Sequence, residues 1–82
     1  MLRGDVVMKE RKIKLNSQDV EEFVKIASKC DFDIDVFYNR VVIDAKSILG
    51  VLGLDFNKTL TVKYTGENPV FEKMLHKFAI AS

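Results

Sequence analysis

Three stretches of the chain alternate hydrophobic with polar residues, and two others repeat their apolar residues at intervals of three and four. The first spacing predicts strands and the second helices, because side chains share a face every second residue on a strand and about every 3.6 residues on a helix. Residues 9–15, KERKIKL, place Arg11, Ile13 and Leu15 on one side and Glu10, Lys12 and Lys14 on the other. That much charge suits a strand at a sheet edge, where another copy of the chain could also pair. A helix follows over 17–29. Asn16 or Ser17 caps it, Asp19, Glu21 and Glu22 suit its positive end, and Val20, Phe23, Val24 and Ala27 form its apolar face. Phe32, Ile34, Val36 and Tyr38 alternate with Asp33, Asp35 and Phe37 in a second strand. Asn39-Arg40 makes a tight turn into a third strand, Val41 to Asp44. Ser47 opens a short helix that Gly53 helps to end. Residues 58–65, KTLTVKYT, form a fourth strand with Leu60, Val62 and Tyr64 inward. Asn68 caps a last helix with Pro69 at its first position, and Phe71, Leu75 and Phe78 make the buried stripe with Met74 alongside.

The order strand, helix, strand, strand, helix, strand, helix predicts an α+β fold. It is a two-layer open-faced sandwich, with helices on one face of a four-stranded antiparallel sheet and water on the other. Asp33, Asp35, Thr61 and Lys63 suit the wet face. The 82 residues predict a single domain, 1–82, with residues 1–8 as an additional amino-terminal segment and Met8 as a natural start. Hydrophobic residues make up 48% and charged residues 30%, the balance of a folded soluble domain. The net charge of +1 is too small to drive nucleic-acid or anionic-membrane binding. No apolar run approaches the ~20 residues that span a bilayer, and the start lacks the apolar core of a signal peptide. One cysteine, Cys30, cannot form an internal disulfide, and a reducing cytoplasm is the expected location.

Ser47 and its surroundings carry the most specific pattern. The stretch AKSILGVLGLDFNK, residues 45–58, resembles the regulatory-serine region of the HPr family, the small phosphocarriers of the bacterial sugar phosphotransferase system. The family's Ser-Ile-x-Gly-Val and later Leu correspond to Ser47, Ile48, Gly50, Val51 and Leu54, and EEFVKIASK, residues 21–29, is similar to its first helix. The resemblance implies the same α+β sandwich and a non-enzymatic protein without cofactor or metal. It also implies that a kinase modifies Ser47 and that Ile48, Leu49 and Leu52, with Lys25, meet partner proteins.

The chain departs from the family where the phosphate is carried. HPr proteins use a histidine at the amino end of helix one, within Gly-Leu-His-x-Arg-Pro-Ala. Aligned through Phe23, that histidine falls at Asn16, the arginine at Gln18 and the proline at Asp19, and the glycine-containing loop is shortened. Asparagine offers no nucleophilic ring nitrogen, Gln18 no positive charge, and Asp19 adds a negative one where an anion must approach. The single histidine, His76, lies in the last helix. The expectation is an HPr-like regulatory module that binds protein partners, an HPr kinase or a transcription regulator among them, as a monomer or weak dimer.

Two alternatives remain: a phosphocarrier with an unconventional acceptor, and a nucleic-acid-binding module on the basic first strand, Lys9, Arg11, Lys12 and Lys14. Asp31, Asp33 and Asp35 have the spacing of the first calcium-loop ligands, but Val36 stands where a glycine is needed and Val42 where the glutamate is needed. Cys30 reads as a buried structural thiol.

Overall fold

The computed structural model describes residues 7–80. Clean alternation in the fourth apolar stretch puts it at the centre. β1 (Lys9–Ile13), β2 (Ile34–Tyr38), β3 (Val41–Asp44) and β4 (Leu60–Tyr64) form one antiparallel sheet in the order β1-β4-β2-β3. β4 therefore pairs on both sides, with Val62 opposite Arg11 on β1 and opposite Val36 on β2. Its Leu60, Val62 and Tyr64 are buried, together with Ile13, Ile34 and Val36 from the neighbouring strands. α1 (Val20–Ser28), α2 (Ile48–Leu52) and α3 (Pro69–Phe78) cover that one face, and α1 packs against both other helices. The expected α+β sandwich is the fold observed.

Local chemistry accounts for most boundaries. Asn68 accepts from Phe71 N at 3.0 Å, and Pro69 follows at the first helical position, so α3 begins where the backbone is already pre-set. Asn39 has φ 54°, a left-handed conformation that asparagine tolerates, and so closes the β2–β3 hairpin. Several expected boundaries move. The first strand ends at Ile13, not Leu15, because the chain turns there into the helix layer; Leu15 is still buried. Arg11 stays exposed, since it faces the helix layer from the sheet margin. The first helix opens as a 3-10 turn, Ser17–Asp19, before α1. The fourth strand is shorter than 58–65. In α3 the buried residues are Phe71, Met74 and Leu75, while Phe78 is only half-buried in the last turn. Gly53 ends α2 in an ordinary right-handed conformation, φ −84°, so its special freedom is not used. The expected segment 1–8 falls mostly outside the described residues; Val7 and Met8 are exposed.

An aromatic cluster ties the layers together. Tyr64 on β4 meets Phe71 on α3 edge-on at 5.1 Å between centroids and stacks on Phe32 at 6.0 Å. Its hydroxyl donates to Glu72 Oε2 at 2.7 Å, and Lys9 Nζ lies 3.5 Å from the same carboxylate. Gly66 lets Phe32 into this cluster: a Cβ there would stand 2.0 Å from Phe32 Cδ1. Gly66→Ala should therefore lower stability by about 1–3 kcal/mol. Gly53→Ala, whose Cβ would meet nothing closer than 3.5 Å, should leave it unchanged or raise it by up to about 1 kcal/mol. Urea unfolding of the two variants distinguishes these cases. Burial, and then the Glu72 hydrogen bond, push the Tyr64 phenol well above its usual range. The unfolded chain ionises this group near pH ~10 and the folded chain only well above it, so stability is lost as pH rises through that region. The urea midpoint should fall more steeply between about pH 9 and 11 in the wild type than in Tyr64→Phe.

Candidate functional site

Ser47 caps α2 and is exposed. Its Oγ accepts from Gly50 N at 3.2 Å, and Val51 N donates to Ser47 O at 2.9 Å, which starts the helix. Asp44, the nearest carboxylate before it in the chain, accepts from Lys46 N at 2.9 Å through Oδ1 and is otherwise exposed. Lys46 in turn donates from Nζ to Cys30 O at 2.9 Å and anchors this turn to the end of α1. Gly50 decides how α2 lies. A Cβ there would come within 2.7 Å of Ile43 Cγ2, so glycine lets the helix rest on β3.

A five-residue helix lying flat on a sheet cannot turn all its apolar residues inward. Val51 is buried completely and Leu54, just beyond the helix, nearly so. Ile48, Leu49 and Leu52 are 45%, 82% and 49% exposed. Together they form an apolar surface beginning at Ser47. Lys25 is exposed on α1. It lines a shallow groove along α1 with Glu21, Glu22 and Ile26, on the flank where Ile26 and Glu22 also face α3.

At the amino end of the first helix, Asn16 is exposed and closes a small ring. Asn16 N donates to Asp19 Oδ2 at 2.9 Å, and Asp19 N donates to Asn16 O at 2.9 Å. A helix amino end attracts anions through its free N–H groups and positive dipole. Here the protein's own carboxylate already takes one of those N–H groups. Glu22 follows one turn later, held by Lys77 Nζ at 2.7 and 2.9 Å from its two oxygens.

The remaining candidates are engaged structurally. Lys9 donates to Gly66 O, Lys12 to Thr61 Oγ1, Lys14 to Asn57 O and Arg11 to Glu10 O. Each of these cations thus makes at least one hydrogen bond within the protein. No group of three or more His, Cys, Asp or Glu side chains among the described residues could hold a metal. Asp35 is opposite Lys63, but Lys63 Nζ lies over the Phe37 ring, 4.5 Å from its centroid. Cys30 is buried and donates to Ile26 O at 3.7 Å; burial raises its pKa, Lys46 partly offsets this, and Asp31 adds to it. No helix among the described residues is long and apolar enough to cross a membrane.

The family model for "PTS HPr component phosphorylation site" matches residues 10–80. The chain belongs to the HPr family. Its fold agrees with solved HPr structures. Phosphocarrier protein HPr from Bacillus anthracis str. Ames superposes with TM-score 0.66 at 20% identity, over 94% of this chain and 100% of that one. HPr-C-His from Thermoanaerobacter tengcongensis gives 0.64 at 26%, over 87% and 88%. Crh, the catabolite repression containing protein of Bacillus subtilis, whose crystal structure shows a swapped dimer, gives 0.60 at 19%, over 99% and 100%. No curated protein sequence matches the chain at a significant level. Within this HPr fold, Val41 and Val42 on β3 are exposed apolar residues outside the expected site. Their outward position follows from β3 being the last strand of the sheet, which periodicity does not reveal.

Stability measurements separate the layers of this site. Ser47→Ala should cost about 1 kcal/mol as a lost cap, and Val51→Ala about 2 kcal/mol as a core truncation. Leu49→Ala should change stability by less than about 0.5 kcal/mol. Urea unfolding reads all three.

Proposed function

We propose that this HPr-family protein is a regulatory protein-binding module that does not relay phosphate through a histidine. The observation that carries this reading is the apolar surface of α2, with Ile48, Leu49 and Leu52 exposed beside an exposed Ser47. Large apolar side chains clustered at a surface, next to a polar group that can be modified, suit a docking site whose state can be changed. Phosphorylation of Ser47 would add a charge of about −1.5 to −2 and strong acceptor oxygens at the margin of that surface. A partner presenting arginine or lysine around an apolar pocket would then bind the modified form better, and a purely apolar partner worse.

The loss of histidine relay is supported by the chemistry at Asn16. An amide has no nucleophilic nitrogen, and the Asp19 carboxylate hydrogen-bonded to Asn16 N repels an approaching phosphoryl group. His76 is exposed on α3, outside the motif that carries the family's phosphate.

Intact mass is the test. With ATP and an HPr kinase, the protein should gain one phosphate, and Ser47→Ala none. With phosphoenolpyruvate and the first enzyme of the phosphotransferase system, no adduct should form. A stable adduct from phosphoenolpyruvate would overturn the reading in favour of an unconventional acceptor. Kinase shown active on another HPr, yet leaving this protein unmodified, would remove the switch and leave only the unmodified docking surface.

A further inference from the structure

The sheet has two margins, and they are finished differently. At β1 the exposed residues Glu10, Arg11 and Lys12 are charged, and the outer backbone is used at the end of the strand. Lys14 N donates to Phe78 O at 3.1 Å, Ile80 N donates to Lys12 O at 3.2 Å, and Ile13 bridges Ala79. Charge and a covering segment are the usual ways to blunt a strand edge. The first strand, expected from its sequence to be open to another copy, is therefore partly closed. β3 has no covering segment among the described residues, and its one charged residue, Asp44, stands at its end. Its sequence is VVID, its register with β2 runs without a bulge, and among the described residues nothing pairs with its outer side. Val41 and Val42 are 43% and 53% exposed.

The direction of the free backbone groups follows from the hairpin. Tyr38 pairs with Val41 across a two-residue turn, which makes 38/41 and 36/43 the hydrogen-bonded pairs. Ala45 N donates to Ile34 O at 2.9 Å, in the same phase. The N–H and C=O of Val42 and the N–H of Asp44 are thus turned away from β2.

We propose that two copies of this chain pair their β3 strands antiparallel about a two-fold axis at Val42, making one continuous eight-stranded sheet. Val42 then faces its counterpart and exchanges both backbone hydrogen bonds. Asp44 N–H meets the carbonyl of Arg40 in the second copy, and Val41 faces Ile43. Continued into the hairpin turn, the same register brings Arg40 of each copy level with Asp44 of the other, twice. Within one copy Asp44 stands opposite Asp35, a like-charge pair. Neither carboxylate has an ion-pair partner among the described residues, and Lys63 is occupied over Phe37. Arg40 is exposed in the hairpin turn, also without an ion partner among the described residues. The second copy supplies what each lacks.

The register is specified by the same residues. A shift of one turns the free N–H groups to the wrong side. A shift of two keeps the hydrogen bonds in phase but sets Arg40 opposite Val42 or opposite Lys46. Only pairing centred on Val42 matches opposite charges. The strand is four residues long, so the dimer is weak, with dissociation in the micromolar-to-millimolar range. This inference is independent of the reading of Ser47 and α2.

Sedimentation across a concentration series tests it, with amide exchange followed at Val42. The wild type should dimerise as concentration rises, and the Val42 amide should become protected in step. Arg40→Glu and Asp44→Lys should each weaken the dimer roughly tenfold or more. Mixing the two variants should restore association, because every crossing contact then joins opposite charges. Arg40→Glu alters an exposed turn residue, so its fold, checked by its melting transition, is retained even if Asp44→Lys is less stable. A wild type that stays monomeric at millimolar concentration overturns the proposal. So does a dimer that Arg40→Glu does not weaken, one whose Val42 amide stays unprotected, or two folded variants that fail to associate when mixed.

Discussion

β4 must enter between β1 and β2, and the rest of the molecule depends on that pairing. The two partners come from distant parts of the chain, residues 9–13 and 34–38 against 60–64. Until β4 is in place, Ile13 and Ile34 have no common core to share. Tyr64 then fixes the end of the arrangement. Its ring joins Phe32 and Phe71, and its buried hydroxyl demands an acceptor, which Glu72 of α3 provides. Lys9 completes the same cluster from β1. One aromatic residue thus links the first strand, the central strand, the loop before β2 and the last helix.

The sheet in turn dictates what α2 can do. Gly50 seats the helix on Ile43, and Val51 fills the space beneath it. With so few residues and one face against β3, Ile48, Leu49 and Leu52 are left outside. Exposing them gains nothing for the fold, since burial of apolar surface is what stabilises it. The cap at Ser47 and the exposed apolar face belong to one construction: the geometry that satisfies Gly50 N also presents the hydroxyl to solvent. At the amino end of α1 the construction is the reverse. Asp19 binds back onto Asn16, so the helix end that suits an anion holds an anion of its own.

Charge placement gives the two sheet margins different characters. The cations of β1 are bound to acceptors of the same chain, and its outer edge meets the segment after α3. The apolar β3 is flanked by Arg40 at one end and Asp44 at the other. A near-neutral chain can therefore present surfaces of quite distinct chemistry without any large net field.

Much of this was legible in the sequence, because it rests on local rules. Period-two alternation at Leu60, Val62 and Tyr64, the apolar face Val20, Phe23, Val24 and Ala27, and the caps Ser47 and Asn68 all reappear in the structure. The Ser47–Leu54 pattern also pointed to the family. What the sequence could not state depends on contacts between segments far apart. Spacing does not say which strand is central and which is last, so it could not tell that β1 is bridged by Ala79 and that β3 ends the sheet. Nor could it give Lys63 to Phe37 instead of Asp35. Periodicity determines which face of an element is apolar. Only tertiary packing decides what that face meets, because each contact needs a partner that the chain brings from elsewhere.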